Sequence, residues 1–385
     1  MTTRVLVWHW GRFGAGPRIA ALLAEGCDAL DDVRSVLSLS SAAEILGDAS
    51  APRCDLPVET YAGIGGLAWR LVQAPLMVMQ LGRRLRRLAP DAAVCAMPSP
   101  LDLLMVAALR RLRVPVAVIV HDAEPHPGDR TPLMHSLQRA LLRRVDLVVA
   151  LSSHVASTLR ANGSVPGGTR MLVSGLPSLA YGPATSPADH DGPRRVLCFG
   201  RLRAYKGLDL LADALRRLGS RPDLLVRVVG QGQESAALDA LRALPGVAVE
   251  NRWVPESEIA ALLDWADALV LPYREASQSG IAPTALAAGR QVIATRVGGL
   301  VEQLEGNALA TLCDPDAGSL AHALLSILQA PRVAAPPDDR REAWRDFAAG
   351  VVAALKPLAI PGEVARCESP ISATPIMRRP GRPGS

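Results

Sequence analysis

Aromatic side chains make up only 3% of this 385-residue chain. Ala, Leu and Val must therefore build the core, and binding nucleic acid by stacking bases on aromatic platforms is poorly supported. Cysteine is sparse and scattered. Cys27, Cys54, Cys95, Cys198, Cys313 and Cys367 form no CxxC pair, which argues against a zinc ribbon or a disulfide framework. Four of them (Cys27, Cys95, Cys198, Cys313) lie in or beside apolar runs, as buried free thiols in a reducing cytoplasm would. No apolar run has the ~20 residues that span a bilayer. The opening MTTRVLVWHW enters a strand directly, where a signal peptide would show a charged start and an apolar stretch. The expected location is the cytoplasm, with peripheral attachment to the inner face of the membrane left open. Charge of one sign is also lacking: the net charge is +5. That suits an anionic ligand or an anionic membrane surface and is too dispersed for nucleic acid.

What is present is alternation. Short Val/Leu/Ile runs alternate with longer Ala/Leu/Arg segments of helical period, which predicts repeated βα units and parallel sheets. Strands are expected at 4–8, 33–39, 93–97, 116–120, 146–151 and 170–174, with helices near 16–25, 66–88, 100–112, 131–144 and 153–161. The stretch 181–194 is rich in Pro, Gly, Asp and Ser and reads as a linker. A second series has strands at 195–199, 224–229, 247–250, 268–271, 291–295 and 309–313. A Pro-rich break at 331–339 precedes a helix at 342–355, and 361–385 lacks apolar periodicity, as a disordered tail does. The fold class is α/β: two Rossmann-like, doubly wound domains facing each other across a cleft, at 1–180 and 195–335. The helix at about 340–356 is expected to pack back onto the first. Ligands in such sheets bind at the carboxyl ends of the strands.

The loops at those ends carry the chemistry. Val196–Phe199 stops at Gly200, and a short loop then brings Arg201 and Lys206 to a helix opened by Gly207. Two cations and free helix N–H groups suit a phosphate, although the loop has neither the Rossmann nor the Walker glycine spacing. The other reading is an ordinary βα connection with solvated basic residues. Gly230-Gln231-Gly232 is a second glycine-bearing loop, readable as a close approach or as a tight turn. Ser279 and Gly280 precede a helix start, where they either bind an anion or cap the helix. Glu275, just upstream, either accepts from sugar hydroxyls or is a solvated acid. Glu302, in a first helical turn, either accepts ribose hydroxyls or complements the helix dipole. In the first half, Gly11, Gly14 and Gly16 form a close-approach loop without dinucleotide spacing. His121-Asp122-Ala123-Glu124-Pro125-His126-Pro127-Gly128-Asp129 puts two histidines and three acids at a strand end. His121 is its best candidate for a polar role facing the cleft, and the spacing fits no common metal pattern. The arginines at 83, 84, 86, 87, 110, 111, 113, 139, 143 and 144 suit an anionic leaflet or simply solvated helix faces.

Together GRLRAYKGLDLL, VVGQGQE and YREASQSGIAPTALAAGRQVIATRVGGLVE resemble the donor domain of GT-B glycosyltransferases of the GT4 type (group 1). The resemblance is strong over about 195–315 and weaker through WHWGRFGAGP and VHDAEPHPGD. It implies a retaining hexosyltransferase that moves a sugar from a nucleotide-sugar donor to a glycan or lipid-linked saccharide, in surface or exopolysaccharide synthesis, with no cofactor or metal required. By position, Arg201 and Lys206 would bind the diphosphate, Ser279 and Gly280 the distal phosphate, and Glu302 the ribose. Trp253 and Val254 would border the base, Gly14 and Gly16 the donor, and His121 would approach the transferred sugar. One departure stands out. The family's two glutamates flank seven residues, and here those positions hold Ala276 and Thr284, with Glu275 one residue out of register. A non-catalytic sugar-nucleotide or glycan-binding subunit is the alternative from another class, motivated by Thr284.

Overall fold

The computed structural model describes residues 2–48, 51–124, 132–179, 181, 191–329 and 340–356. The first series runs β1 (Thr3–His9), α1 (Ala15–Asp28), β2 (Val33–Leu39), α2 (Gly63–Val72), α3 (Ala74–Leu88), β3 (Ala92–Cys95), α4 (Asp102–Arg111), β4 (Val116–Val120), α5 (Pro132–Leu142), β5 (Leu147–Ala150), α6 (Ser153–Ala161) and β6 (Arg170–Val173). The second runs β7 (Arg194–Phe199), α7 (Leu208–Leu218), β8 (Leu224–Gly230), α8 (Ala236–Arg242), β9 (Val247–Asn251), α9 (Glu256–Trp265), β10 (Ala268–Leu271), α10 (Ile281–Ala287), β11 (Gln291–Thr295), α11 (Gly299–Leu304), β12 (Ala310–Cys313), α12 (Ala317–Gln329) and α13 (Arg340–Leu355). His126 and Asp129, most of the 181–194 stretch, the 331–339 break, Cys367 and the 361–385 tail lie outside the described residues.

Each series forms one all-parallel, six-stranded sheet, in the orders β2-β1-β3-β4-β5-β6 and β12-β11-β10-β7-β8-β9. Central strands such as β3, β4, β5 and β10 are buried along their whole length, because helices cover both faces of a parallel sheet. This explains why they read as unbroken apolar runs. In both sheets the strand order reverses once, between β1 and β3 and between β7 and β10. At such a reversal the crossovers leave to opposite faces, and a crevice opens beyond the strand ends.

The single helix expected over 66–88 is two helices. Pro75 sits in the first turn of α3 and has no N–H to continue the α2 ladder, so the chain restarts although the apolar period persists. The final helix, α13, buries Trp344, Phe347 and Val351 in the core that α1 shares with β1 and β2. The two helices touch so closely that a Cβ on Gly26 would lie 2.4 Å from the Trp344 carbonyl. The Trp344 indole N–H also donates to the Ser178 carbonyl (2.9 Å), tying α13 to the segment that leaves the first domain. Among the described residues Cys27, Cys95 and Cys198 are free and buried, and Cys54 and Cys313 free and half-buried. None of the described helices is long and apolar enough to cross a membrane.

Candidate active site in the cleft between the two sheets

The two strand-order reversals face each other across a cleft of about 1060 Å³. From the first domain the loops after β1, β3 and β4 line it; from the second, those after β7, β8 and β10 do.

The loop after β7 is the most strongly charged wall. Arg201 lies 3.4 Å from the Tyr205 hydroxyl. A single 3₁₀ turn (Ala204–Lys206) and Gly207 at φ +66° then turn Lys206 back against the sheet. Its Nζ sits 3.6 Å from the centre of the Tyr273 ring and 5.1 Å from that of Tyr205. Burial lowers the Lys206 pKa; the Tyr205 phenol opposes that, and Arg201 pushes it down further. A cation on an aromatic face in a partly dry site is held at a defined point with little hydration to shed, which primes it for an anion. Tyr273 supplies that platform and carries no weight in the motif reading. Its signal was available: a ring at a strand's carboxyl end in a chain with very few rings. Gly230, Gln231 and Gly232 line the cleft, and their two glycines also give room to the β7 loop, whose Gly200 and Leu202 carbonyls press against them.

The loop after β10 is placed differently from expectation. Ala276, Gln278, Ser279 and Gly280 line the cleft. Glu275 is not among the lining residues and is exposed. The Ser279 N–H is already donated to Gln303 Oε1 (2.7 Å), and Gln303 Nε2 donates to the Ser279 carbonyl (3.1 Å). Gln303 thus pairs with the loop as a neighbouring strand would, and of the expected pair only Gly280 stands at the helix start without that clamp. Thr284 is buried, donates to the Gly280 carbonyl and accepts from the Leu179 N–H (both 3.0 Å). The residue in the second glutamate's position therefore fastens the interdomain connection and does not face the cleft.

Glu302 has its partners across the domain boundary. It lies outside the cleft lining, and its carboxylate accepts from the Ser153 and His154 N–H groups (2.7 and 2.9 Å). An acid of the second domain thus caps the first turn of α6 in the first domain. It stands in the first turn of its own helix, α11, and its carboxylate lies at the N-terminal end of a second helix dipole, that of α6. Beside it, Ser152 Oγ donates to the Ser277 carbonyl (3.0 Å).

On the opposite wall His121 stands at the end of β4, buried. Its Nε2 lies 3.3 Å from the Ala96 carbonyl, which can only accept, so Nε2 carries the proton. Nδ1 then accepts from the Gln278 amide across the cleft (3.3 Å). Burial lowers the His121 pKa, against the opposing pull of Asp122 and of the Ala96 carbonyl. The ring is therefore neutral and oriented. Below it, His9 is held at about 4, mainly by burial, and its Nδ1 donates to the Met97 carbonyl (2.9 Å).

His9 also explains the loop after β1. A Cβ on Gly16 would fall 2.2 Å from His9 Nε2, and one on Gly11 2.3 Å. The close approach expected of these glycines is to a buried imidazole. Gly14 and Gly16 both line the cleft, and Gly14, at φ +81°, has no atom within 4 Å of a built Cβ. At the mouth, Phe13 packs edge-on against Trp253 across the domains (5.9 Å, 75°), and the Trp253 indole N–H donates to Glu44 (3.4 Å). Val254 lines the same end. Arg18 of α1 pairs with Glu256 of α9, bridging the domains without any motif to announce it.

The two buried histidines set an acid limit. As pH falls below 6.5 the unfolded chain binds protons that the folded chain refuses, so stability drops until about pH 4, where His9 itself titrates. His9 alone accounts for about 3 kcal/mol across that window. Asp102, pushed up to about 6 by burial, works in the opposite sense and offsets most of the His9 contribution, so the net fall is small and rests on His121, whose pKa burial also lowers. The expected result is a Tm that falls only slightly from pH 6.5 to pH 4, and a more favourable slope in His9→Asn, whose amide keeps the bond to Met97 and which loses the His9 contribution while Asp102 remains. Equal slopes in the two proteins would contradict this.

Comparison with known proteins follows the same division. Residues 193–330 match the family model described as "Glycosyl transferases group 1", and residues 13–175 match "Glycosyl transferase 4-like domain". Glycogen synthase of Mycobacterium tuberculosis is 27% identical over 303 residues, covering 72% of this chain and 71% of the relative. GDP-mannose:glycolipid 4-beta-D-mannosyltransferase of Xanthomonas campestris pv. campestris is 29% identical over 205 residues, 50% of this chain and 53% of that protein. The solved structure of Anabaena Alr3699/HepE in complex with UDP and glucose shares the fold, with a TM-score of 0.60 and 16% identity over 92% of this chain and 97% of that one.

Proposed function

Since the chain belongs to the group 1 glycosyltransferases, we propose that its cleft binds a nucleotide-sugar by the diphosphate and transfers the sugar to a glycan or polyprenyl-linked saccharide with retention of configuration. The observation that carries this is Lys206, set on Tyr273 beside Arg201 at the reversal point of the second sheet. Charge develops on the diphosphate as its bond to the sugar breaks. Fixed cations and the Gly280 end of the β10 loop are worth most there, because they need no reorganisation. In the retaining step the bond from the anomeric carbon to the phosphate oxygen breaks, and the acceptor oxygen bonds to the same face. The acceptor's proton goes to the departing phosphate oxygen. His121, neutral and fixed by Ala96 and Gln278, orients hydroxyl groups and carries no charge of its own. Trp253 and Val254 border the base, and Gly14 gives the backbone room at the donor. Protein cations do the work that a metal would otherwise do. The glycolipid acceptor named for the Xanthomonas relative supports a lipid-linked acceptor in surface or exopolysaccharide synthesis, reached from the inner face of the membrane.

The test is release of nucleoside diphosphate from UDP-, GDP- and ADP-sugars across a panel of saccharide and lipid-linked acceptors. The product's anomeric configuration is read by NMR, and the assay is repeated with EDTA. Expected are acceptor-dependent release, an unchanged anomer and undiminished rate in EDTA. Binding without release across the panel favours the non-catalytic reading that Thr284 motivates.

A further inference from the structure

The segment from Thr60 to Pro90 contains no acidic residue and five arginines. It folds as α2 and α3, and α2 has no fully buried residue, although it is among the more apolar helices of the chain. Ile64, Trp69, Leu71 and Val72 are exposed on it, Ile64 at 90%, and the exposed Leu76 and Met79 continue the patch on α3. Most other helices of the first domain turn their large apolar residues inward.

On α3 the two faces separate cleanly. Met77, Val78, Leu81 and Leu85 are buried. At 100° per residue, Leu76, Met79, Arg83, Arg86 and Arg87 fall on the opposite side, within roughly 100° of one another. The outward stripe is therefore apolar over its first turn and cationic over its last two, along about 16 Å. Arg83, Arg86 and Arg87 are exposed, and α3 itself carries no acid to neutralise them. Arg70, by contrast, is spent within the protein, on Glu59, the Thr60 carbonyl and Gln73.

An apolar patch with a tryptophan, continuous with an acid-free arginine stripe, matches the section of a bilayer: acyl chains first, anionic headgroups next. We propose that α2 and the start of α3 insert into an anionic lipid surface while Arg83, Arg86 and Arg87 lie on its phosphates. Its purpose rests on the reading of a lipid-linked acceptor; its test does not.

That test needs neither donor nor acceptor. The full-length protein is floated with phosphatidylcholine vesicles, with and without phosphatidylglycerol, at low and high salt. Expected is salt-sensitive binding to the anionic vesicles only. Each arginine near such a surface raises partitioning about fivefold, so Arg83→Gln with Arg87→Gln should lower it roughly thirtyfold. Ile64→Ser with Val72→Ser should lower it at least tenfold, with Tm unchanged because both side chains are exposed. Brominated acyl chains should quench fluorescence in the native protein and much less in Trp69→Phe. Absence of flotation overturns the proposal, and so does binding indifferent to these substitutions. A concentration-dependent dimer abolished by Ile64→Ser would instead assign the face to a second copy of the chain. Sugar transfer to a soluble acceptor, measured separately, keeps a failure here distinct from a failure of the functional reading.

Discussion

Lys206→Ala is expected to lower turnover by about 10²–10³-fold, or roughly 3–4 kcal/mol of transition-state stabilisation, while Tm stays within about 2 °C. The asymmetry follows from where the ammonium sits. Burial already works against its charge, so the resting fold gains little from it. Its contact with Tyr273 is worth ~1 kcal/mol and is offset by relief of desolvation. The diphosphate, by contrast, gains a cation that is dry, fixed and 3.6 Å from a ring that holds it in place. Lys206→Arg should rescue little, because a planar guanidinium needs a different seat from a compact ammonium. The decisive comparison is kcat against the affinity for nucleoside diphosphate alone. A variant that keeps wild-type kcat would remove Lys206 from the site.

Gly207→Ala is expected to destabilise the protein by at least about 3 kcal/mol and to take activity with it. Gly207 has φ +66°, and a Cβ there would lie 1.8 Å from the Pro272 carbonyl. The left-handed backbone alone costs an alanine ~1 kcal/mol. The clash must be relieved by moving either the β7 loop or the start of the β10 loop, and those carry Lys206 and Tyr273 respectively. Gly14→Ala shows a backbone cost without a clash: the space there is empty, but φ 81° with ψ −165° lies in a region all but reserved for glycine, so a loss of roughly 1–3 kcal/mol is expected from the backbone alone. Thermal unfolding reads both losses, and a loss of only about 1 kcal/mol in Gly207→Ala, the backbone cost alone, would mean that Pro272 yields freely.

The fold was legible because parallel strands buried on both faces must be continuous apolar runs, and the expected strands coincide with β1 to β12. What periodicity missed was the break between α2 and α3, since apolar spacing survives a proline that the hydrogen-bond ladder does not. The site was legible in the loops and less so in their partners. Arg201, Lys206, Ser279, Gly280, Trp253, Val254, Gly14, Gly16 and His121 all line the cleft, because strand ends are marked by glycine and small polar residues. The partners of Glu302, the Ser153 and His154 amides, were not legible because they belong to the other domain. A sequence carries no register between domains. Gly16 was marked as a close approach without showing to what, since the reason is His9, several residues back and beneath it. The Gln303 clamp on Ser279 is invisible for the same reason.

The placement of α13 bears on the order in which the chain can be finished. The core under α1 is completed by Trp344, Phe347 and Val351, which leave the ribosome after the whole second sheet. The domain synthesised first is thus completed last. Until α13 docks, its face of the first sheet lacks two aromatic side chains, each worth on the order of 1.5–3 kcal/mol of burial, and an apolar groove along α1 stays open to water. The second domain, whose strands all pair with one another, can fold meanwhile. Cutting the chain at a single point between the sheets would therefore release one self-contained half and one that is missing a wall.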